Sequence, residues 1–429
     1  KPAGRSPGLH SMTLGARILE QCDELGAISE DPDVLTRRYL TAEHRRAAEK
    51  IAGWMRAAGM RTSIDALGNV VGHYAGARAD APRILTGSHF DSVVNAGRYD
   101  GVFGILCAIA AVGDLHARGV RARCAIEVIA FGDEEGVRFG FSMAGSRALA
   151  GRFDPALLER GDGDGVTLRA AIAAFGGDVD AIPSLSRAHA NVAAFVEVHI
   201  EQGPVLLERG LALGVVTSIA GSTRIAPRVV GLAGHAGTVP MGARRDALAA
   251  AAEMTLSVES YTAASAGTLV GTVGKLAIAG GGAINVIPGD VAFTIDVRAG
   301  ADPARHAAVA AIERECRTIA ARRRVGLEWT TLFELAAAPC DPRLQARLAD
   351  SVAAQGVAPF RLPSGAGHDA MEMAHVAPIG MLFVRCGAGG ISHHPDETMT
   401  AADAGIATRA LIHFLEHFDA GATAPASRR

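Results

Sequence analysis

Four times along this chain a short apolar run stops abruptly in a polar loop that carries histidine or carboxylate. Ile84-Leu85 leads into Gly87-Ser88-His89-Phe90-Asp91, with Asp100-Gly101 nine residues further on. Cys124–Phe131 leads into Asp133-Glu134-Glu135-Gly136, and Ala193–Val198 into His199-Ile200-Glu201-Gln202-Gly203-Pro204. Met381–Val384 is followed by a Gly-rich loop and His393-His394-Pro395-Asp396-Glu397. Short apolar runs bounded by turn residues read as buried strands. Helical patterns separate them, as at Ile105, Leu106, Ile109, Val112 and Leu115. Strand, loop and helix in alternation predict an α/β fold with a doubly wound, mainly parallel sheet. Such sheets bind ligands at the carboxyl ends of their strands.

Histidine and carboxylate are the side chains that bind divalent metals. A single His-x-Asp is as readily a surface loop as a ligand pair. Four strand ends that each deliver such groups read as one metal site. Zinc-type hydrolysis needs neutral imidazoles and carboxylates around the metal, with a position left open for water. Two neighbouring metals need a bridging carboxylate. Asp100, before Gly101 at a tight turn, is the candidate bridge.

The other segments set the domain layout. Met12–Leu25 and Thr41–Ala58 read as amphipathic helices, followed by short strand patterns at Thr62–Asp65 and Asn69–Tyr74. From about residue 214 the pattern changes to Val215–Ile219 and Thr223–Leu232 (strands), Arg245–Tyr261 (helix), Thr268–Leu276 and Val291–Arg298 (strands), Pro303–Arg323 (helix) and Val325–Leu332 (strand). That order contains a β-α-β-β-α-β layout, a compact α+β unit of four strands and two helices within 214–331, flanked by the strand–loop–histidine pattern over 12–213 and 332–419. Gly161-Asp162-Gly163-Asp164-Gly165 resembles half a calcium loop but reads as a surface turn.

With these motifs in hand, the chain resembles the hydantoinase/carbamoylase family of dinuclear metal amidohydrolases, from about Leu14 to Phe418. That family belongs to the superfamily of zinc aminoacylases and glutamate carboxypeptidases. The resemblance makes Asp100 the bridge, with His89 and His199 completing one metal site and Glu135 and His393 the other. The family pattern Ser-His-x-Pro selects His393 over its neighbour His394. Asp91 matches a residue that accepts the second ring N–H of the His89 imidazole. Glu134 matches the general base. His235, in Gly234-His235-Ala236-Gly237, matches a residue that binds substrate and steadies the tetrahedral oxyanion. Asn285 and Arg298 match the clamp on the substrate carboxylate, and Gln202, Gly367 and His368 are further substrate-side candidates, with His368 equally open to a structural role near a helix N-terminus. Ser222 stands where many members carry Gln.

The resemblance implies two divalent metals per subunit, zinc first, with manganese, cobalt or nickel also compatible. It implies a homodimer formed through the inserted lid. The reaction implied is hydrolysis of the ureido bond of an N-carbamoyl-L-amino acid, with allantoate as the alternative substrate and an aminoacylase or peptidase activity as a more distant one. Peptidase branches usually place a carboxylate where His199 stands.

Composition closes off other classes. Across 429 residues, 49% apolar content is ample for two or three domains, and the net charge of −3 carries no nucleic-acid footprint. No apolar run is long enough to predict a membrane span. Lys1–Ser11 has no signal-peptide layout, so Met12 is the expected start, with 1–11 and 420–429 expected to be disordered or cloning-derived. Six cysteines without a C-x-x-C pair point to a reducing cytoplasm.

Overall fold

The structure, a computed structural model, describes residues 13–420. Met12 and the tail beyond residue 420 lie outside the described residues. The chain divides into two compact units. Among the described residues, the larger takes 13–217, Cys340–Leu362 and 368–420; the smaller takes Ser218–Pro339 and Pro363–Gly367.

The sheet of the larger unit runs in the order Arg61–Ile64, Val70–Tyr74, Ala125–Phe131, Arg83–His89, Val192–Ile200, Ile379–Val384 and Leu213–Thr217. Its centre is parallel: Arg83–His89 pairs with Ala125–Phe131 and with Val192–Ile200, which pairs with Ile379–Val384. Its edges are antiparallel, so the expected mainly parallel sheet is a mixed one. The first edge has a local cause. Asp65 accepts N–H bonds from Leu67 and Asn69 at 2.9 and 3.0 Å, closing a tight turn that folds the two strands back on each other.

All seven residues of Ala125–Phe131 are buried, as a strand covered on both faces requires. Helix Val102–Ala117 packs on Arg83–His89 and Val192–Ile200, and against helices Leu14–Gly26 and Ala401–His417. Ile105, Leu106 and Val112 are fully buried there; truncating one such side chain costs about 2–5 kcal/mol. Gly104 brings the helix onto the strand that carries His199, since a Cβ would collide with the Val198 carbonyl.

In the smaller unit four antiparallel strands lie in the order Gly326–Leu335, Gly221–Val230, Asp290–Ala299 and Leu269–Ile278. Asp290–Ala299 buries alternate residues. Val291, Phe293, Ile295 and Val297 face helices Ala247–Ala263 and Asp302–Arg323 through Met254, Val258, Ile312 and Ile319. The boundaries differ from the expected 214–331. Leu213–Val216 pairs with Ile379–Val384 in the large sheet, so that strand is not the first of the insert. At the other end Ala338–Pro339 pairs back on Ser218–Ile219. An edge strand and an inserted strand look alike in sequence, because each is a short apolar run.

All six cysteines are buried and free. Among the described residues no helix is long and apolar enough to cross a membrane. Asp162 in the glycine-rich stretch receives Arg138 Nε and the amides of Asp164 and Val166, a structural turn.

Candidate metal centre

His89 ends its strand, Asp133-Glu134-Glu135 follows Phe131, His199 lies near the end of Val192–Ile200, and His393 lies in the loop after Val384. These four strands are adjacent and parallel, so their carboxyl ends converge. Asp100 comes from the loop between Arg83–His89 and helix Val102–Ala117. Gly101, with φ 64°, allows that turn; a Cβ there would stand 2.5 Å from the His89 ring. Asp133, Gln202 and His393 also adopt left-handed backbone, at φ 66°, 57° and 54°. Strained residues gathered at one place are a mark of a functional site.

The donor atoms form two sets that share Asp100. In one, His89 Nε2 and His199 Nε2 lie 3.7 and 3.3 Å from Asp100 Oδ1. In the other, His393 Nε2 lies 3.0 Å from Asp100 Oδ2 and 3.5 Å from Glu135. Glu134 and Glu135 group with His89. His394 points elsewhere, its Nδ1 accepting the Asp396 amide at 3.2 Å.

The donor chemistry fits divalent metal. His199 Nδ1 donates to the Ile200 carbonyl at 2.8 Å, which leaves Nε2 unprotonated. That buried nitrogen has no hydrogen-bond partner and faces a carboxylate oxygen. Lone pair against carboxylate is repulsive without a cation beside them.

Electrostatics point the same way. Burial lowers the His199 pKa to about 4, favouring the neutral, metal-binding form. Burial works to raise Asp100, but bonds from His393 and His89 hold it well below the usual carboxylate range. Glu134 is pushed well above that range, by burial first and also by Glu135, with His89 opposing. Burial and Asp100 raise Glu135 to about 7. The bond to Asp100 raises His393 to about 9. Bound cations would lower the carboxylate values.

Some residues do more than expected. His89 Nδ1 donates to the backbone carbonyl of Asp91 at 3.2 Å, with the Asp91 carboxylate 3.6 Å from the same nitrogen. That carboxylate also accepts the amides of Glu134 and Glu135 at 3.0 and 3.2 Å. Asp91 therefore ties two strand ends together. His368, open to a substrate-side or a structural role, is 1% exposed and packs edge-on against His199 and Phe383. The Gln202 amide lies among Asp100, Ser392 and His393, at 3.1–3.4 Å. Glu201 caps the turn at Val205–Glu208 by accepting the amides of Val205 and Leu206.

Two further carboxylates surround the site. Glu397 accepts the amides of Tyr99 and Asp100 and the Ser392 hydroxyl, joining the two loops that carry Asp100 and His393. Glu197, two residues before His199, accepts Ser88 Oγ at 2.7 Å and the Ala370 amide at 3.2 Å. A glutamate inside an apolar strand was the visible signal for Glu197. Glu397 carried none beyond its nearness to His393.

Within the smaller unit, Gly234–His235 pairs with Val286–Ile287, and the Ala236 amide donates to the Asn285 carbonyl at 2.9 Å, bringing His235 and Asn285 onto facing segments. The Gly237 amide donates to His235 Nδ1 at 3.0 Å, so Nε2 carries the ring proton and is a donor. Arg298 lies opposite Ser222 on the neighbouring strand and binds Asp296 and the Gly365 carbonyl. Gly367 is half-buried at the end of the Pro363–Gly367 segment.

Comparison with known proteins adds four relationships. The family model for peptidase family M20/M25/M40 matches residues 82–417. An N-carbamoyl-L-amino acid amidohydrolase of Geobacillus stearothermophilus is 42% identical over 403 residues, covering 94% of this chain and 98% of that protein. A probable allantoate deiminase of Oryza sativa subsp. japonica is 39% identical, covering 95% and 89%. Among solved structures, a hydantoinase/carbamoylase family amidase from Burkholderia multivorans has a TM-score of 0.88 at 32% identity, covering 95% of this chain and 98% of that one.

Proposed function

The chain belongs to the peptidase family M20/M25/M40, in its hydantoinase/carbamoylase branch, and from that premise we propose that it hydrolyses the ureido bond of an N-carbamoyl-L-amino acid. The observation that carries this reading is the pair of donor sets sharing Asp100, with Glu134 beside them. The similar amidohydrolase from Geobacillus stearothermophilus supplies the substrate class. Allantoate is the second reading, favoured by the similarity to the rice deiminase.

His89, His199, Asp100, Glu135 and His393 would hold two divalent cations, zinc first among them. Such a pair supplies Lewis acidity toward the ureido carbonyl and acidifies water. The chain's own groups do the rest. Glu134 takes a proton from the attacking water and returns it to the leaving nitrogen. His235 Nε2–H donates to the oxygen on which charge develops. Arg298 and Asn285 hold the substrate carboxylate, and Arg suits that task because its donors match the two oxygens. One water and one ureide give amino acid, ammonia and carbon dioxide, the last from collapse of the carbamate.

We further propose that the smaller unit is a lid that forms a homodimer, in a reducing cytoplasm. The support is its exposed apolar side chains, among them Val270, Leu276, Leu332 and Phe333, and the free cysteines.

The test is ammonia release by zinc-loaded protein on N-carbamoyl-L-methionine, its D-isomer, N-carbamoyl-β-alanine, allantoate and N-acetyl-L-methionine, with amine release followed for the last. Turnover of the L-carbamoyl compound with the D-form inert is expected. Turnover of allantoate alone would move the substrate to the second reading. Turnover of the acetyl compound alone would overturn the ureido assignment.

A further inference from the structure

Asp296 and Arg298 stand two residues apart on the Asp290–Ala299 strand, so both side chains leave the face of the small sheet that the helices do not cover. They line a groove of about 610 Å³ with Arg224, Thr272, Thr294 and Gly365. A guanidinium offers five N–H donors in a fixed plane. Asp296 takes one edge of that plane, with Nε 3.3 Å from each carboxylate oxygen and Nη2 3.0 Å from Oδ2. Nη1 donates to the Gly365 carbonyl at 2.8 Å. One hydrogen on Nη1 and one on Nη2 remain as donors that a substrate carboxylate can take. Asp296 is held in turn. Ser222 Oγ donates to its Oδ1 at 2.9 Å, and Arg224 Nε lies 3.6 Å from Oδ2.

We propose that Asp296, braced by Ser222, is a positioning residue that decides which edge of Arg298 is offered to the substrate, an inference resting on Arg298 as the carboxylate site. Charge alone argues for the opposite effect: an aspartate beside the arginine repels an incoming carboxylate, so removing it would tighten binding. Orientation argues that Arg298 without Asp296 spreads over its many rotamers and binds more weakly. One substitution therefore separates the two by sign. The same logic gives Ser222 a task, since a hydroxyl bonded to Asp296 stiffens the partner of Arg298 without touching substrate.

The experiment compares zinc-loaded wild type, Asp296→Ala, Asp296→Asn and Ser222→Ala on N-carbamoyl-L-methionine and on its neutral C-terminal amide. Both steady-state kinetics and calorimetric binding are measured. Asp296→Ala should raise KM for the acid about tenfold or more while kcat and the KM for the amide stay within about threefold. Asp296→Asn keeps one oxygen acceptor without the charge and should fall between it and wild type. Ser222→Ala should raise KM for the acid by about two- to threefold. An unchanged or lower KM for the acid in Asp296→Ala, or an equal rise for acid and amide, would overturn the proposal. If Asp296→Ala does not fold, the asparagine and Ser222 variants decide by the same criteria. If wild type binds the acid without hydrolysing it, the ureidohydrolase reading fails, and the binding constants of the variants decide the positioning role. If wild type binds neither compound, both fall.

Discussion

The Nε2 atom of His199 faces Oδ1 of Asp100 across 3.3 Å with no hydrogen bond between them. His199 has already directed its only N–H, at Nδ1, to the Ile200 carbonyl. A buried acceptor opposite a buried carboxylate is a cost unless a cation serves both. Because Asp100 belongs to both donor sets, its loss should disturb both. Asp100→Ala is expected to bind fewer than one zinc per subunit where wild type binds two, measured by elemental analysis after dialysis. Two zinc ions retained would remove Asp100 as the bridge.

Glu134 is a different case, because it groups with His89 and Glu135 without belonging to the sets that share Asp100. Glu134→Gln should keep the metal content of wild type and lose at least about 10²-fold in kcat, the lower range for general acid–base catalysis. KM should change far less. Metal-loaded Glu134→Gln with near-normal turnover would exclude it as the base.

Asp91 joins the His89 loop to the loop of both glutamates through two amide bonds. Asparagine in its place has one acceptor oxygen, so one of two partly buried amides loses its partner. The expected loss is about 1–3 kcal/mol of stability, seen as a lower Tm. Zinc affinity should fall about 10- to 100-fold, as it does when residues supporting metal ligands are removed. A Tm and affinity equal to wild type would show that the carboxylate does not organise the glutamates.

The stripped protein should lose stability as pH rises from about 6.5 to 9. Burial raises Glu197 to about 8, and Asp369 and Glu397 to about 7, while the Asp100 bond raises His393 to about 9. Each binds a proton in the fold at a pH where the unfolded chain has already released it, so the slope is negative. His199, lowered to about 4, gives the opposite slope only between about 4 and 6.5, where the unfolded histidine is protonated. Thermal melts in chelator at pH 6.5, 7.5 and 8.5 check this: a flat or rising Tm contradicts it. Zinc should reverse the trend, because its ligands bind it deprotonated.

Much of this was legible in residue order. The apolar runs ending at His89, Phe131, Ile200 and Val384 marked adjacent buried strands, and their polar ends named the donors that the structure gathers around Asp100. Asp91 was expected on the His89 ring, where its carboxylate stands 3.6 Å from Nδ1, and the same carboxylate also accepts the amides of Glu134 and Glu135. That bond joins residues 43 and 44 positions apart and leaves no local pattern. The burial of His368 is hidden for a similar reason. A histidine in Gly365-Ala366-Gly367-His368 looks like a loop residue, and only packing against His199 and Phe383 reveals it as buried.

By itself, the order of residues determined the α/β class and marked the His and carboxylate side chains that the structure groups around Asp100, because strand and helix periodicity and side-chain chemistry are local properties of the chain. Tertiary structure alone decided the antiparallel edges of the large sheet, the limits of the smaller unit at Ser218 and Pro339, and the supports beneath the donors. Those depend on which strand pairs with which and on which buried carboxylate meets which amide. Both are set by contacts between segments far apart in sequence, and no short window of residues encodes them.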